Sequence, residues 1–205
     1  QGAARRQAGA SDWARLGNVY DELGRHVEAA DAFARGAALA DSAGSANRWT
    51  YRLLGASQLD KAKRWPEARA QLELGLKAAP NEPLLLNYLG YNSLERGENL
   101  VEAEAMIRRA LALRPDDASI TDSLGWALYK RGRLPEAIDT LRRAAAADPA
   151  QAEIHEHLGD ALYRAGRRYE ARFAWQAALL HAEDDSSKRL EAKIASGWTE
   201  ATAAP

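Results

Sequence analysis

The chain has 205 residues, with 28 basic and 29 acidic side chains and a formal net charge of −1. This balance excludes a nucleic-acid binder held by bulk charge and a polybasic protein of the membrane surface. Cysteine does not occur, which excludes disulfides, zinc–thiolate sites and thiol catalysis. No apolar run reaches the roughly 20 residues that cross a bilayer, so we expect no direct membrane insertion.

One pattern recurs along the chain with a period of about 34 residues. Each copy has a pair of small or Leu-Gly residues near its start, then Glu-Ala, a large apolar residue and alanines. In chain order, copies are predicted at 10–43, 49–82, 83–117, 118–151 and 152–185, with a linker at 44–48. The second copy is degenerate, and the third carries one extra residue near Glu98-Asn99.

The segments outside the copies have their own predictions. Residues 1–9 are expected to be an N-terminal tail or the stub of a preceding repeat. Residues 186–198 place Leu190 and Ile194 on one helical face, which predicts a capping helix over the last apolar face of the array. Residues 199–205 are expected to be a frayed tail.

The copy at 118–151 predicts two helices for each repeat. Ile120 and Leu124 are four residues apart, which indicates an apolar stripe along a first helix. Gly132 is expected to end that helix with a positive φ, and Pro135 to lie in the first turn of a second helix. One pair cannot bury both of its stripes, so the pairs must stack to form a continuous core.

The first copy carries Trp13, Leu16, Gly17 and Tyr20, which resembles the Trp-x2-Leu-Gly-x2-Tyr motif of the tetratricopeptide repeat family. The resemblance extends over residues 10–185. It implies an all-α fold, a right-handed superhelical solenoid of about five helix pairs plus a C-terminal capping helix. It also implies a concave groove, lined by the first helix of each pair, that binds a protein or peptide.

A narrower resemblance concerns the later repeats. The segments 89–97, 122–132 and 157–171 are similar to the C-terminal repeats of bacterial cell-envelope tetratricopeptide lipoproteins. This resemblance implies a cell-envelope or periplasmic location. Those proteins carry an N-terminal lipidated cysteine, and this sequence has no cysteine. Either the anchor is left out of this sequence or the resemblance does not hold for the location, and the cytoplasm is the alternative.

The resemblance also assigns the residues that face the groove. In the last three repeats these positions carry aromatic and polar side chains, which are typical of binding hot spots. The predicted partner-binding residues are Asn87, Tyr91, Asp122, Trp126, Tyr129, Glu156, Asp160 and Tyr163. The carboxylates of Asp122, Glu153, Glu156 and Asp160 make this part of the groove acidic, which favours a partner with basic and apolar side chains. Packing against neighbouring helices is the alternative role of Trp126 and the tyrosines.

The sequence offers little for catalysis. His155 and His157 flank Glu156, but side chains two positions apart on a helix point about 200° apart, which disfavours a shared metal ion. No glycine-rich phosphate loop or nucleophile elbow occurs. We therefore predict no catalytic, metal or cofactor site, no nucleic-acid partner, and a scaffold or adaptor function. A structural module that assembles with itself in a larger complex is the alternative, and an enzyme is the remote one.

Overall fold

The computed structural model describes residues 8–199 and residue 202, without the side chains of residues 184 and 185. Within these residues the chain forms eleven α-helices and no β-strand, which confirms the predicted all-α fold. The helices are α1 Ala10–Glu22, α2 His26–Ser42, α3 Arg48–Lys61, α4 Trp65–Ala78, α5 Pro83–Glu95, α6 Leu100–Leu113, α7 Ala118–Lys130, α8 Leu134–Ala147, α9 Ala152–Arg164, α10 Arg168–Leu179 and α11 Asp184–Ser196.

The helices group into two compact units, unit 1 at residues 1–85 and unit 2 at residues 86–205. Their boundary lies inside α5 rather than between two predicted repeats, and the repeat bounds themselves stay predictions. In unit 1, α1 packs on α2, α2 on α3, and α3 on α4. In unit 2 the same order of neighbours continues from α6 to α11.

The two ends of the chain correspond only partly to the sequence predictions. The helix expected at 186–198 is α11, which begins and ends two residues earlier. Residues 1–7, and residues 200, 201 and 203–205, lie outside the described part of the chain. The predicted tail or stub at 1–9 and the predicted frayed tail at 199–205 therefore stay predictions for those residues.

The turn between the two helices of a repeat follows the local sequence. Gly132 lies after α7 with φ +76°, and a proline occupies the first turn of α8, so both sequence predictions are confirmed. In the degenerate second repeat, Lys63 stands in the corresponding turn with φ +62°. The left-handed turn is therefore kept there, although a lysine has a steric cost in this conformation that glycine avoids.

Small residues let paired helices approach closely. A Cβ on Gly125 would lie 2.5 Å from Cγ of Leu141, so only glycine fits between α7 and α8 at this contact. A Cβ on Gly159 would likewise collide with the indole of Trp175, which packs from α10 onto α9. The glycine of the repeated Leu-Gly pair thus marks the point where a large side chain of the second helix packs directly against the backbone of the first helix.

Four second helices begin with the same ion pair, which sequence reasoning missed. The N-cap arginine pairs with a glutamate three residues later, where the carboxylate also faces the positive end of the helix dipole. The pairs are Arg25–Glu28, Arg64–Glu67, Arg133–Glu136 and Arg167–Glu170. In α6 the N-cap is instead Asn99, at φ +36°, whose side chain accepts a hydrogen bond from Glu102 N. Asn99 lies where the third copy was predicted to be one residue longer than the other copies.

Across the described residues, no helix combines the length and apolar content that crossing a bilayer requires.

Candidate partner-binding groove

A stack of three rings occupies the centre of unit 2. Trp126, on α7, is 2% exposed and lies between Tyr129 and His157. Its ring centroid is 4.5 Å from that of Tyr129 and 4.1 Å from that of His157, with interplanar angles of 10° and 15°. Its indole N–H donates a hydrogen bond to Glu95. Trp126 and Tyr129 therefore pack inside the unit, the alternative role that the sequence left open.

A buried ion pair lies against this stack. His157, on α9, has no exposed surface, and its Nδ1 is 2.9 Å from Oδ2 of Asp122 on α7. Burial acts to lower the pKa of His157, but the carboxylate of Asp122, with Glu153 and Asp160 adding to it, outweighs burial and raises the pKa from 6.5 to about 9. His157 is therefore an imidazolium at neutral pH, and it neutralises Asp122.

This pair predicts that stability falls as the pH rises. The folded pKa of His157 lies above its unfolded value, so the stabilisation is complete below pH 6.5 and is lost as the pH passes about 9. We expect a loss of about 3 kcal/mol of unfolding free energy over this window, since each pKa unit corresponds to about 1.4 kcal/mol. Urea denaturation at a series of pH values measures it. The His157→Gln variant should lack this slope, and a wild-type curve as flat as that of the variant would contradict the prediction.

A second buried ionic cluster joins α9 to the capping helix. Lys193 of α11 has no exposed surface, and its Nζ lies 2.7 Å from Oε1 of Glu156 and 2.8 Å from Oδ1 of Asp160. Arg189 adds a contact of 2.7 Å from its Nε to Oε1 of Glu156, and Trp175 donates its indole N–H to Asp160. Burial acts to raise the pKa of Glu156, but hydrogen bonds from Arg189 and Lys193 hold it below its usual range.

Because of these two clusters, the predicted groove is less acidic than expected from the sequence. From the sequence we expected Asp122, Glu156 and Asp160, together with Glu153, to attract a basic partner. In the structure, cationic side chains of the same chain neutralise Asp122, Glu156 and Asp160, and each of these carboxylates is at least nine-tenths buried. The cause lies in α11 and α9, which bring Lys193 and His157 against acids that are distant in sequence.

An open cleft remains beside the ring stack, between α5, α7 and α9. Its volume is about 260 Å³, and we call it the Tyr91 cleft; it is lined by Asn87, Tyr88, Tyr91, Asn92, Ser119, Asp122, Ser123, Gln151 and Glu153. The hydroxyl of Tyr91 donates to Oε1 of Glu153 at 3.1 Å, and burial raises the pKa of Tyr91 so that it stays a donor. Oδ1 of Asn87 is buried and has no hydrogen-bond partner among the described residues.

The eight predicted groove residues thus fall into two sets. Asp122, Trp126, Tyr129, Glu156 and Asp160 are buried, whereas Asn87, Tyr91 and Tyr163 keep partial exposure. Partner binding by all eight stays a prediction. Sequence reasoning missed the roles of His157 and Lys193. One signal was present: Glu156 and Asp160 are four residues apart, as are Arg189 and Lys193, so two facing helices can pair them.

The two histidines of the His-Glu-His sequence have different partners. Nε2 of His155 lies 3.0 Å from the carbonyl oxygen of Pro149, at the surface. His157 instead turns into the unit towards Asp122. The described geometry therefore gives each imidazole a structural contact of its own.

Comparison with known proteins agrees with this architecture. The family model described as the tetratricopeptide (TPR) repeat matches residues 125–166. Residues 125–166 therefore carry a tetratricopeptide repeat. No curated protein matches its sequence.

Solved structures with the same fold extend the likeness over the chain. The thermophilic tetratricopeptide protein TTC0263 of Thermus thermophilus is 22% identical over 92% of this chain and 98% of its own, with a TM-score of 0.71. MamA of Desulfovibrio magneticus RS-1, from residue 41 to its end, is 19% identical over 84% of this chain and 94% of its own, with a TM-score of 0.68. YrrB, described as having an unusual peptide-binding site, is 20% identical over 90% of this chain and 91% of its own, with a TM-score of 0.61. At these identities the likeness shows the fold, and the predicted tetratricopeptide solenoid class is confirmed.

Proposed function

We propose that this tetratricopeptide protein is a protein–protein interaction scaffold that binds a peptide segment of its partner in the Tyr91 cleft. The observation that carries the proposal is the cleft itself, about 260 Å³ of open space lined by side chains of three helices of unit 2. The same fold holds a peptide-binding site in YrrB, by the description of that structure.

The lining suits an extended peptide with basic and apolar side chains. Asn87 lines the cleft, and its side-chain NH₂ group can donate to a peptide backbone. The ring of Tyr91 supplies apolar surface with a polar edge. The side chain of Glu153 is 49% exposed, so it can accept a hydrogen bond from a lysine or arginine. Among the carboxylates that line this cleft, Glu153 is the accessible one, because His157 neutralises the buried Asp122.

Selection from a random peptide display library tests the proposal. We expect the wild-type chain to select peptides rich in lysine or arginine next to apolar residues. Tyr91→Ala should weaken their binding by about 30-fold or more, since it removes an aromatic anchor. Glu153→Gln should weaken it less, and should also reduce its dependence on salt.

Two exposed positions supply matched controls. Glu191→Gln on α11 removes one carboxylate outside the cleft, and Tyr169→Ala removes one exposed tyrosine of α10. Both should bind the selected peptides as the wild type does. Equal binding by wild type, Tyr91→Ala and Glu153→Gln would refute the Tyr91 cleft as the site. The self-assembly alternative predicts a particle size that rises with protein concentration, which analytical ultracentrifugation measures.

A further inference from the structure

A second cavity lies at the C-terminal end of unit 2 and has a different chemistry from the Tyr91 cleft. Its volume is about 380 Å³, and we call it the Arg168 cavity; it is lined by Tyr163, Arg168, Tyr169, Arg172, Ser196 and Gly197. These residues come from α9, from the first turns of α10 and from the end of α11. None of these described lining residues is a carboxylate, so they offer hydrogen-bond donors and positive charge.

Among the residues that the structure describes, the two arginines of this cavity have no acidic partner, unlike other arginines of the chain. Arg168 and Arg172 are one helical turn apart, and neither forms an ion pair with any residue that the structure describes. The neighbouring carboxylate, Glu170, is already held by Arg167 and Arg142. The guanidinium of Arg168 lies over the ring of Tyr163 instead, 5.6 Å from its centroid.

An exposed aromatic pair adjoins the arginines on α10. Tyr169 is 76% exposed and Phe173 is 56% exposed, and their rings meet edge to face with centroids 4.9 Å apart. Large aromatic residues with this exposure are typical of the anchors of protein interfaces. Cationic and apolar surface thus lie side by side on one helix, and α10 also begins here with the positive end of its dipole.

Because the lining is positively charged and would complement carboxylates, we propose that the Arg168 cavity binds an acidic segment of a partner protein. Aspartate or glutamate side chains pair with Arg168 and Arg172, and an aromatic or apolar side chain of the same segment packs on Tyr169 and Phe173. The Arg168 cavity favours the opposite charge from the Tyr91 cleft, and its proposed role is independent of peptide binding in that cleft. The protein would then hold basic and acidic segments at two separate places on unit 2.

Fluorescence anisotropy with a labelled hexapeptide of alternating glutamate and phenylalanine tests this proposal. Its comparison peptides carry glutamine, or phosphoserine, in place of each glutamate. We expect the glutamate peptide to bind the wild-type chain at least about tenfold more tightly than the glutamine peptide, with an affinity that falls as salt is added. The double variant Arg168→Gln/Arg172→Gln should lose this preference, and Phe173→Ser should weaken both peptides.

A matched double variant, Arg15→Gln/Arg143→Gln, removes the same charge from two other exposed positions and should bind as the wild type does. Tyr91→Ala and Glu153→Gln should also leave this binding unchanged, which separates it from the proposed peptide cleft. Equal affinity for the glutamate and glutamine peptides would overturn the proposal, as would equal affinity of the two double variants. Tighter binding of the phosphoserine peptide, lost in Arg168→Gln/Arg172→Gln, would overturn the assignment to carboxylates.

Discussion

Substitution of Lys193 by methionine is expected to lower the free energy of unfolding by about 3–5 kcal/mol. The methionine keeps the length of the side chain but removes the ammonium that lies between Glu156 and Asp160. Asp160 is 1% exposed, so it would be left as a buried carboxylate without that cation. The penalty arises from breaking one side of a buried pair, which costs far more than the net contribution of the intact pair.

Chemical denaturation of both proteins at neutral pH measures the loss. The matched control is Lys188→Met, which makes the same replacement at an exposed position of α11 and should change stability by less than about 0.5 kcal/mol. Lowering the pH should reduce the difference in unfolding free energy between Lys193→Met and wild type, because protonation neutralises the carboxylates that have lost the ammonium group. A loss no larger than that of the control would mean that Lys193 is not buried in this cluster.

Substitution of Trp126 by alanine is also expected to cost about 3–5 kcal/mol of folding stability. The change removes the middle ring of the stack and leaves a cavity between Tyr129 and His157. It also removes the hydrogen bond to Glu95. If Trp126 were only a surface anchor for a partner, its replacement by alanine would instead weaken partner binding and leave the melting temperature unchanged.

Thermal and urea denaturation therefore distinguish the two roles of Trp126. Trp126→Phe keeps an aromatic ring in the stack but lacks the indole N–H, so it should cost less than alanine. Phe173→Ala truncates an exposed aromatic of the same unit and should cost little. If Trp126→Ala melts as Phe173→Ala does, the ring stack does not contribute to the core.

The second buried ionic cluster also holds the C-terminal end of the helical array. The sequence predicted that α11 covers an apolar face, and Leu190 is indeed fully buried. The same helix buries Lys193 against two acids of α9, so the cap is held by charge as well as by apolar contact. Because Lys193 of this cap pairs with acidic groups of α9, those groups are not available to a basic partner.

The sequence alone determined the helix pairs and the tetratricopeptide class. Its signals are local or periodic: a leucine–glycine pair, a glycine at the turn, and a proline in the first turn of a helix. Gly132 and Gly125 illustrate this, because backbone conformation and the volume of one side chain decide their roles. The compartment, the repeat bounds and the basic and apolar character of the partner stay predictions.

Only the tertiary structure decided which residues of the predicted groove stay accessible. Position along a helix predicts the direction of a side chain, but not what the next helix places against it. Asp122 meets His157, and Asp160 meets Lys193, across separations of more than thirty residues. Whether a carboxylate on α7 or α9 is free for a partner or neutralised inside the chain depends on those contacts. They arise from the stacking of whole helices, because desolvation and pairing of a charge are set by all the groups around it.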